Sequence, residues 1–134
     1  MKLITRDTDY GLRAICCIAR HKERIVPAAE LVKQLGIPRP FLRKILQLLN
    51  AKGILKSYKG PKGGFVLSRP AARISLLDLI KIFQGPLQLN ECLFKKSTCP
   101  RVSTCALRKK IKAIEKYVIR ELKPISIATL LEGR

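Results

Sequence analysis

Gly36, Gly53 and the run Lys59-Gly60-Pro61-Lys62-Gly63-Gly64 cut the middle of this chain into pieces too short for a long helix or a wide sheet. Glycine tolerates the left-handed backbone that ends a helix, and Pro38 and Pro40 lack the amide that a helix interior needs. Pro27 to Leu35 therefore reads as a short helix stopped at Gly36. Ile37-Pro38-Arg39-Pro40 is a tight connection. A further helix runs from about Pro40 to Ala51, with Phe41, Ile45, Leu48 and Leu49 as its expected inward stripe, and Lys52-Gly53 ends it. Two helices joined by three or four residues containing Gly, the second rich in exposed cations, are the sequence form of a helix-turn-helix. Ile54-Leu55-Lys56-Ser57-Tyr58 and Phe65-Val66-Leu67-Ser68 flank the glycine cluster as two strand-like runs, so a β-hairpin follows, with Lys59 and Lys62 at its tip. A hairpin directly after a helix-turn-helix is the wing of a winged helix. A phosphate-cradling loop is excluded, because the Gly-x-x-x-x-Gly-Lys-Ser/Thr spacing is missing and no helix follows closely.

Charge agrees with this reading. Lys and Arg total 28 against 9 acids, a formal net charge of +19. No Asp or Glu occurs from Leu31 to Leu77, where Lys33, Arg39, Arg43, Lys44, Lys52, Lys56, Lys59, Lys62, Arg69 and Arg73 all fall. Such a surplus is self-repulsive, and a polyanion relieves it; nucleic acid is the commonest one. An anionic membrane surface is the rival partner, but it usually calls for a basic amphipathic helix or a lipid anchor. Hydrophobic residues make up 47% of the chain, enough for a core built mainly from Leu, Ile, Val and Ala. No apolar run approaches the roughly 20 residues of a membrane helix, and no secretory signal opens the chain, so a cytoplasmic location is expected.

Asp7 or Thr8 is placed to cap a first helix running to about His21, with Leu12, Ile15, Cys16 and Ala19 on one face. Ser75 is placed to cap another through about Phe83, using Leu76, Leu79, Ile80 and Phe83, before Gly85-Pro86 breaks it. Leu107, Ile111, Ile114, Val118 and Leu122 then recur at steps of four, three, four and four. So regular a stripe, late in a small chain, suits a dimerisation helix packed on its twin; folding back on its own core is the alternative. Ser126 starts a last short helix through Leu131. The expected fold is mainly α with a small β-hairpin wing: a winged helix-turn-helix DNA-binding domain over 1–84, a cysteine-bearing sensor loop over 85–106, and a dimerisation helix and tail over 107–134.

The recognition helix presents its N-terminal turns to the major groove. Arg39, Pro40, Arg43, Lys44 and Gln47 lie on its outer side, and Arg43 and Gln47 are expected to read guanine and adenine edges by paired hydrogen bonds. Lys56, Lys59 and Lys62 on the wing are placed for phosphates or the minor groove.

Of the cysteines, Cys16 and Cys17 sit among Ala, Ile and Leu in the first helix, where Cys behaves as a small buried hydrophobe. Cys92, Cys99 and Cys105 cluster in one loop with six and five residues between them. In a reducing compartment this favours metal ligation or redox sensing over structural disulfides. Zinc knuckles of the Cys-x-x-Cys type are missing, whereas wider spacing suits an iron–sulfur cluster, which usually needs a fourth ligand. His21, Asp7, Asp9, Glu91 and a small exogenous ligand are the candidates, and three loop cysteines without metal are the plain alternative.

Thr8-Asp9-Tyr10-Gly11-Leu12-Arg13-Ala14, Leu35-Gly36-Ile37, Gly60-Pro61-Lys62-Gly63-Gly64-Phe65, Ser75-Leu76-Leu77-Asp78-Leu79-Ile80 and the cysteine triplet together resemble, nearly end to end, the IscR/NsrR/RirA/CymR (Rrf-two) family of bacterial winged-helix regulators. The resemblance implies a homodimer with crossed long helices near the C-terminus, bound to double-stranded DNA at a palindromic promoter operator. Members with the triplet carry a 2Fe–2S or 4Fe–4S cluster whose state changes DNA affinity, and they sense redox status, nitric oxide, iron or cluster supply. The IscR branch has a histidine ligand three residues after the last cysteine, where Arg108 stands here, which excludes that ligand. The NsrR branch uses an aspartate from the partner's first helix, and Asp9 occupies the matching position. Arg43 stands where the IscR branch has a glutamate, so operator preference does not carry over; Lys59 replaces a wing arginine that enters the minor groove in relatives, and the resemblance implies that it fills that role. A metal-free regulator of the same fold, controlled by thiol modification or by a partner protein as in the CymR branch, is the competing expectation. An enzyme is disfavoured, because one histidine beside no obvious nucleophile does not make a catalytic site.

Overall fold

A computed structural model describes residues 2–22, 24–89 and 105–133. Helix α1 spans Arg6–Arg20, and its cap is neither Asp7 nor Thr8 but Thr5, whose hydroxyl accepts from the Thr8 amide at 3.4 Å. Asp7 and Asp9 lie inside the first turn, where they complement the helix dipole rather than cap it. Its inner face, Thr8, Gly11, Ala14, Ile15, Cys17 and Ile18, forms the centre of the core. Gly11 is needed for contact: a Cβ there would lie 2.6 Å from Cζ of Phe83.

Helix α2 spans Ala28–Leu35 and stops at Gly36, which adopts the left-handed conformation at φ 67°. Helix α3 spans Arg39–Ala51 and buries Leu42, Ile45, Leu46 and Leu49. This corrects the expected stripe by about one residue. Leu42 and Leu46 replace Phe41, which is 40% exposed, and Leu48, which is only half-buried. Pro38 occupies the N-cap, so the helix begins one residue earlier than expected, and its buried residues follow the i, i+3, i+4, i+7 spacing of one face.

Strands β1 (Leu55–Tyr58) and β2 (Gly64–Leu67) pair antiparallel with Leu55 opposite Leu67 and Tyr58 opposite Gly64. The hairpin is tied to the body by a bridge that sequence patterning did not suggest. Val26 and Phe65 exchange backbone hydrogen bonds at 3.0 and 2.9 Å. After a single 3-10 turn over Ala71–Arg73, helix α4 (Leu76–Gln84) starts at Ser75, whose hydroxyl accepts from Leu77 and Asp78 amides as expected. Helix α5 covers Ala106–Leu122, and helix α6 covers Ile127–Glu132 with Ser126 as its cap. The Ile127 amide donates to the Ile74 carbonyl and the Leu76 amide to the Ile125 carbonyl, which returns the chain's last helix to the winged-helix body and buries Ile127.

Helix α5 is the exception to inward packing. Its one buried residue is Glu115, whose carboxylate accepts from the Leu89 amide at 2.9 Å and pairs with Lys112 at 3.5 Å. Of the apolar stripe, Leu107 and Ile114 stay exposed, with Tyr117 beside them, while Ile111, Val118 and Leu122 are half-buried and none is fully enclosed. Among the described residues no helix is long and apolar enough to cross a membrane. Most of the expected 85–106 loop, with Glu91, Cys92 and Cys99, lies outside the described residues.

Candidate nucleic-acid interface

Burial of Leu42, Ile45, Leu46 and Leu49 dictates what α3 shows to solvent. Arg39, Arg43 and Gln47 follow one another at four-residue steps, Pro40 and Lys44 run beside them, and all five are exposed. The first turn of α3 holds Arg39 and no acid. A cation at that end works against the helix dipole, so the arrangement costs helix stability while raising the local positive potential. Lys56 on β1 and Lys59 and Lys62 in the turn are exposed as well. Gly60, at φ 102°, makes that turn possible, and its carbonyl accepts from the Gly63 amide at 2.9 Å.

Ion pairs among the described residues join Arg6–Asp7, Arg13–Asp9, Arg24–Glu30 and Lys112–Glu115. None of them draws on the α3 or wing cations. Glu30, the acid bordering the basic stretch, is itself bridged by Arg24 through two bonds of 3.0 Å, which hold its carboxyl below the usual carboxylate range. Helix and hairpin thus carry cations without internal compensation, next to each other in a fold held together by the core beneath.

Two features of this region were not legible in the sequence. The Arg6 guanidinium sits 4.8 Å from the centre of the Phe41 ring and 5.9 Å from that of Tyr10, joining the start of α1 to α3. Gln84, at the end of α4, accepts from the Thr5 amide at 2.9 Å and the buried Thr8 hydroxyl at 2.7 Å, and its own amide donates to the Leu3 carbonyl. A glutamine closing a helix whose inward positions are apolar was the available signal for the second feature, and nothing in the sequence signalled the first.

Of the two cysteines expected to be buried in α1, Cys16 is only partly covered. Cys17 is buried, its thiol donates to Gln34 Oε1 at 2.9 Å, and burial pushes its pKa up. A neutral thiol is the form such a site favours, which supports a structural role. Cys105 is half-buried at the N-cap of α5, and its side chain makes no cap bond. Asp9 is partly exposed and pairs with Arg13 at 3.1 Å. His21 lies 3.4 Å from Gln34 Oε1, beside Cys17. Among the described residues no group of three or more His, Cys, Asp and Glu could hold a metal.

Residues 4–133 match the family described as Rrf2, iron-dependent transcriptional regulator. The chain belongs to the Rrf2 family. An HTH-type transcriptional regulator of Aquifex aeolicus is 36% identical over 98 residues, which cover 72% of this chain and 68% of that one. Among solved structures, CymR (YrzC), the global cysteine regulator of B. subtilis, superposes with a TM-score of 0.82 at 24% identity, covering 100% and 99% of the two chains. IscR of T. potens gives 0.77 at 22% identity, covering 98% and 87%. These structures establish the winged-helix fold for this Rrf2 protein, and its family and relatives are transcriptional regulators.

Proposed function

We propose that this Rrf2 protein is a homodimeric regulator that grips a palindromic promoter operator with α3 and the wing, and that the segment bearing Cys92, Cys99 and Cys105 adjusts the grip. The observation that carries the DNA-binding reading is the exposed, internally uncompensated row of Arg39, Arg43, Lys44 and Gln47 beside Lys56, Lys59 and Lys62. Arg43 and Gln47 read base edges in the major groove, Arg39, Pro40 and Lys44 seat the helix, and the wing lysines hold phosphates or enter the minor groove. The exposed Leu107, Ile114 and Tyr117 support α5 as the surface that meets its twin. Two copies of α3 then face two half-sites.

Arg43→Ala is expected to cost about 1–3 kcal/mol on the operator and to relax base preference. Lys59→Ala is expected to weaken all duplexes alike and to lower the slope of log affinity against log salt by about 0.9. Titrations of operator and scrambled duplex over a salt series measure both. If neither change matters at physiological salt, the interface lies elsewhere.

For control, the donor chemistry fits an iron–sulfur cluster: thiols are the donors such clusters take, and Cys105 stands at the N-cap of α5 with no cap bond of its own. Cys92, Cys99 and Cys105 would hold the cluster, with Asp9 of the second subunit as fourth ligand. Bound there, it supplies one-electron chemistry and sensitivity to oxidants, nitric oxide and iron supply. Protein purified without oxygen should absorb near ~400 nm and lose the band in Cys92→Ala; a colourless product free of iron and sulfide sinks this reading. The alternative, a metal-free regulator controlled by thiol modification or a partner protein, is favoured by the closeness of fold to a cysteine regulator.

A further inference from the structure

We propose that Arg6, outside the helix-turn-helix and the wing, is a phosphate-binding residue that extends the DNA interface onto the start of α1. The proposal rests on the reading of α3 as the helix presented to DNA. Arg6 does nothing for its own helix, because a cation in a first turn opposes the dipole that Asp7 and Asp9 complement. Its one ion pair, from Nε to Asp7 at 3.6 Å, joins two exposed side chains and contributes little.

What holds Arg6 in place is the face of Phe41, 4.8 Å away, with Tyr10 at 5.9 Å. Phe41 belongs to the first turns of α3 and is 40% exposed, flanked in sequence by Pro40, Arg39 and Arg43. A stacked guanidinium keeps its plane fixed while its edge N–H groups remain available, the arrangement suited to two phosphate oxygens. The preceding residue is fixed too: the Thr5 amide and the Thr8 hydroxyl both donate to Gln84 Oε1. The backbone that carries Arg6 is therefore anchored to α4, and the side chain to the recognition helix. A preorganised cation at the border of a basic face loses little entropy on binding.

The test uses the full-length protein and a duplex of arbitrary sequence, titrated by fluorescence anisotropy over a potassium chloride series, with thermal unfolding measured alongside. Arg6→Met keeps apolar contact with Phe41 and removes the charge. It is expected to weaken binding about five-fold near 0.15 M salt and to lower the salt slope by about 0.9, the increment of one phosphate, with the unfolding midpoint unchanged. Arg6→Lys should keep the slope. An unaltered slope and affinity in Arg6→Met, when Lys44→Ala on α3 does weaken binding, overturns the proposal and leaves the α3 reading standing. A fall in the midpoint with an unaltered slope assigns Arg6 to packing alone and overturns it as well. Indifference of binding to both Arg6→Met and Lys44→Ala removes the α3 reading, and this proposal with it.

Discussion

Gly64→Ala should lower the thermal midpoint of this protein by about 4–11 °C, the shift expected from about 1–3 kcal/mol of overpacking in a chain of this size. Gly64 opens β2 and is buried, and an added Cβ would lie 2.6 Å from the Val26 carbonyl carbon and 2.8 Å from the Pro27 nitrogen. Both are backbone atoms, so no side chain can swing aside. Relief requires the hairpin to back away from the Val26–Pro27 segment, which breaks the paired bonds between Val26 and Phe65. The wing then loses its tie to the body, and Lys59 and Lys62 lose their fixed distance from α3. Affinity for DNA should fall in the folded fraction as well. Circular dichroism melts of the two proteins decide the matter; a variant melting within about 2 °C of the parent shows that the close approach is not maintained.

Leu31→Ala is expected to cost about 2–5 kcal/mol, as deleting a fully enclosed leucine usually does. Helix α2 has eight residues and no side-chain cap at Pro27, too short to persist alone in water. Leu31 is its one buried residue, with Ala28, Val32 and Leu35 only partly covered against the core. The leucine therefore sets how firmly the first helix of the helix-turn-helix supports the second. Urea unfolding should show a lower midpoint at an unchanged slope, which marks a loss of stability rather than a change in the area exposed. A midpoint close to that of the parent would mean that the turn after α2, not Leu31, holds the motif.

Much of this was readable beforehand because the signals were local. Gly36 and Gly53 end helices by backbone conformation, Ser75 and Ser126 cap helices with their own hydroxyls, and the Gly60–Gly64 cluster forces a tight turn. Each effect acts within a few residues. Phe41 defeated the pattern because α3 has more apolar residues than one face holds, so periodicity allowed two overlapping stripes. Packing turned Leu42 and Leu46 inward and left the ring out. Glu115, buried on α5, carried no signal in the sequence, since the Leu89 amide that it accepts from lies far along the chain.

The sequence by itself determined the element types, the winged-helix class and the concentration of cations between Glu30 and Asp78, because composition, glycine positions and caps act locally. Only the tertiary structure decided that Leu42 and Leu46 rather than Phe41 face inward on α3, that the wing is pinned through Val26, and that Arg6 comes to rest on Phe41. Those outcomes depend on contacts between residues distant along the chain. No local pattern encodes them, and burial of a shared core is what selects them.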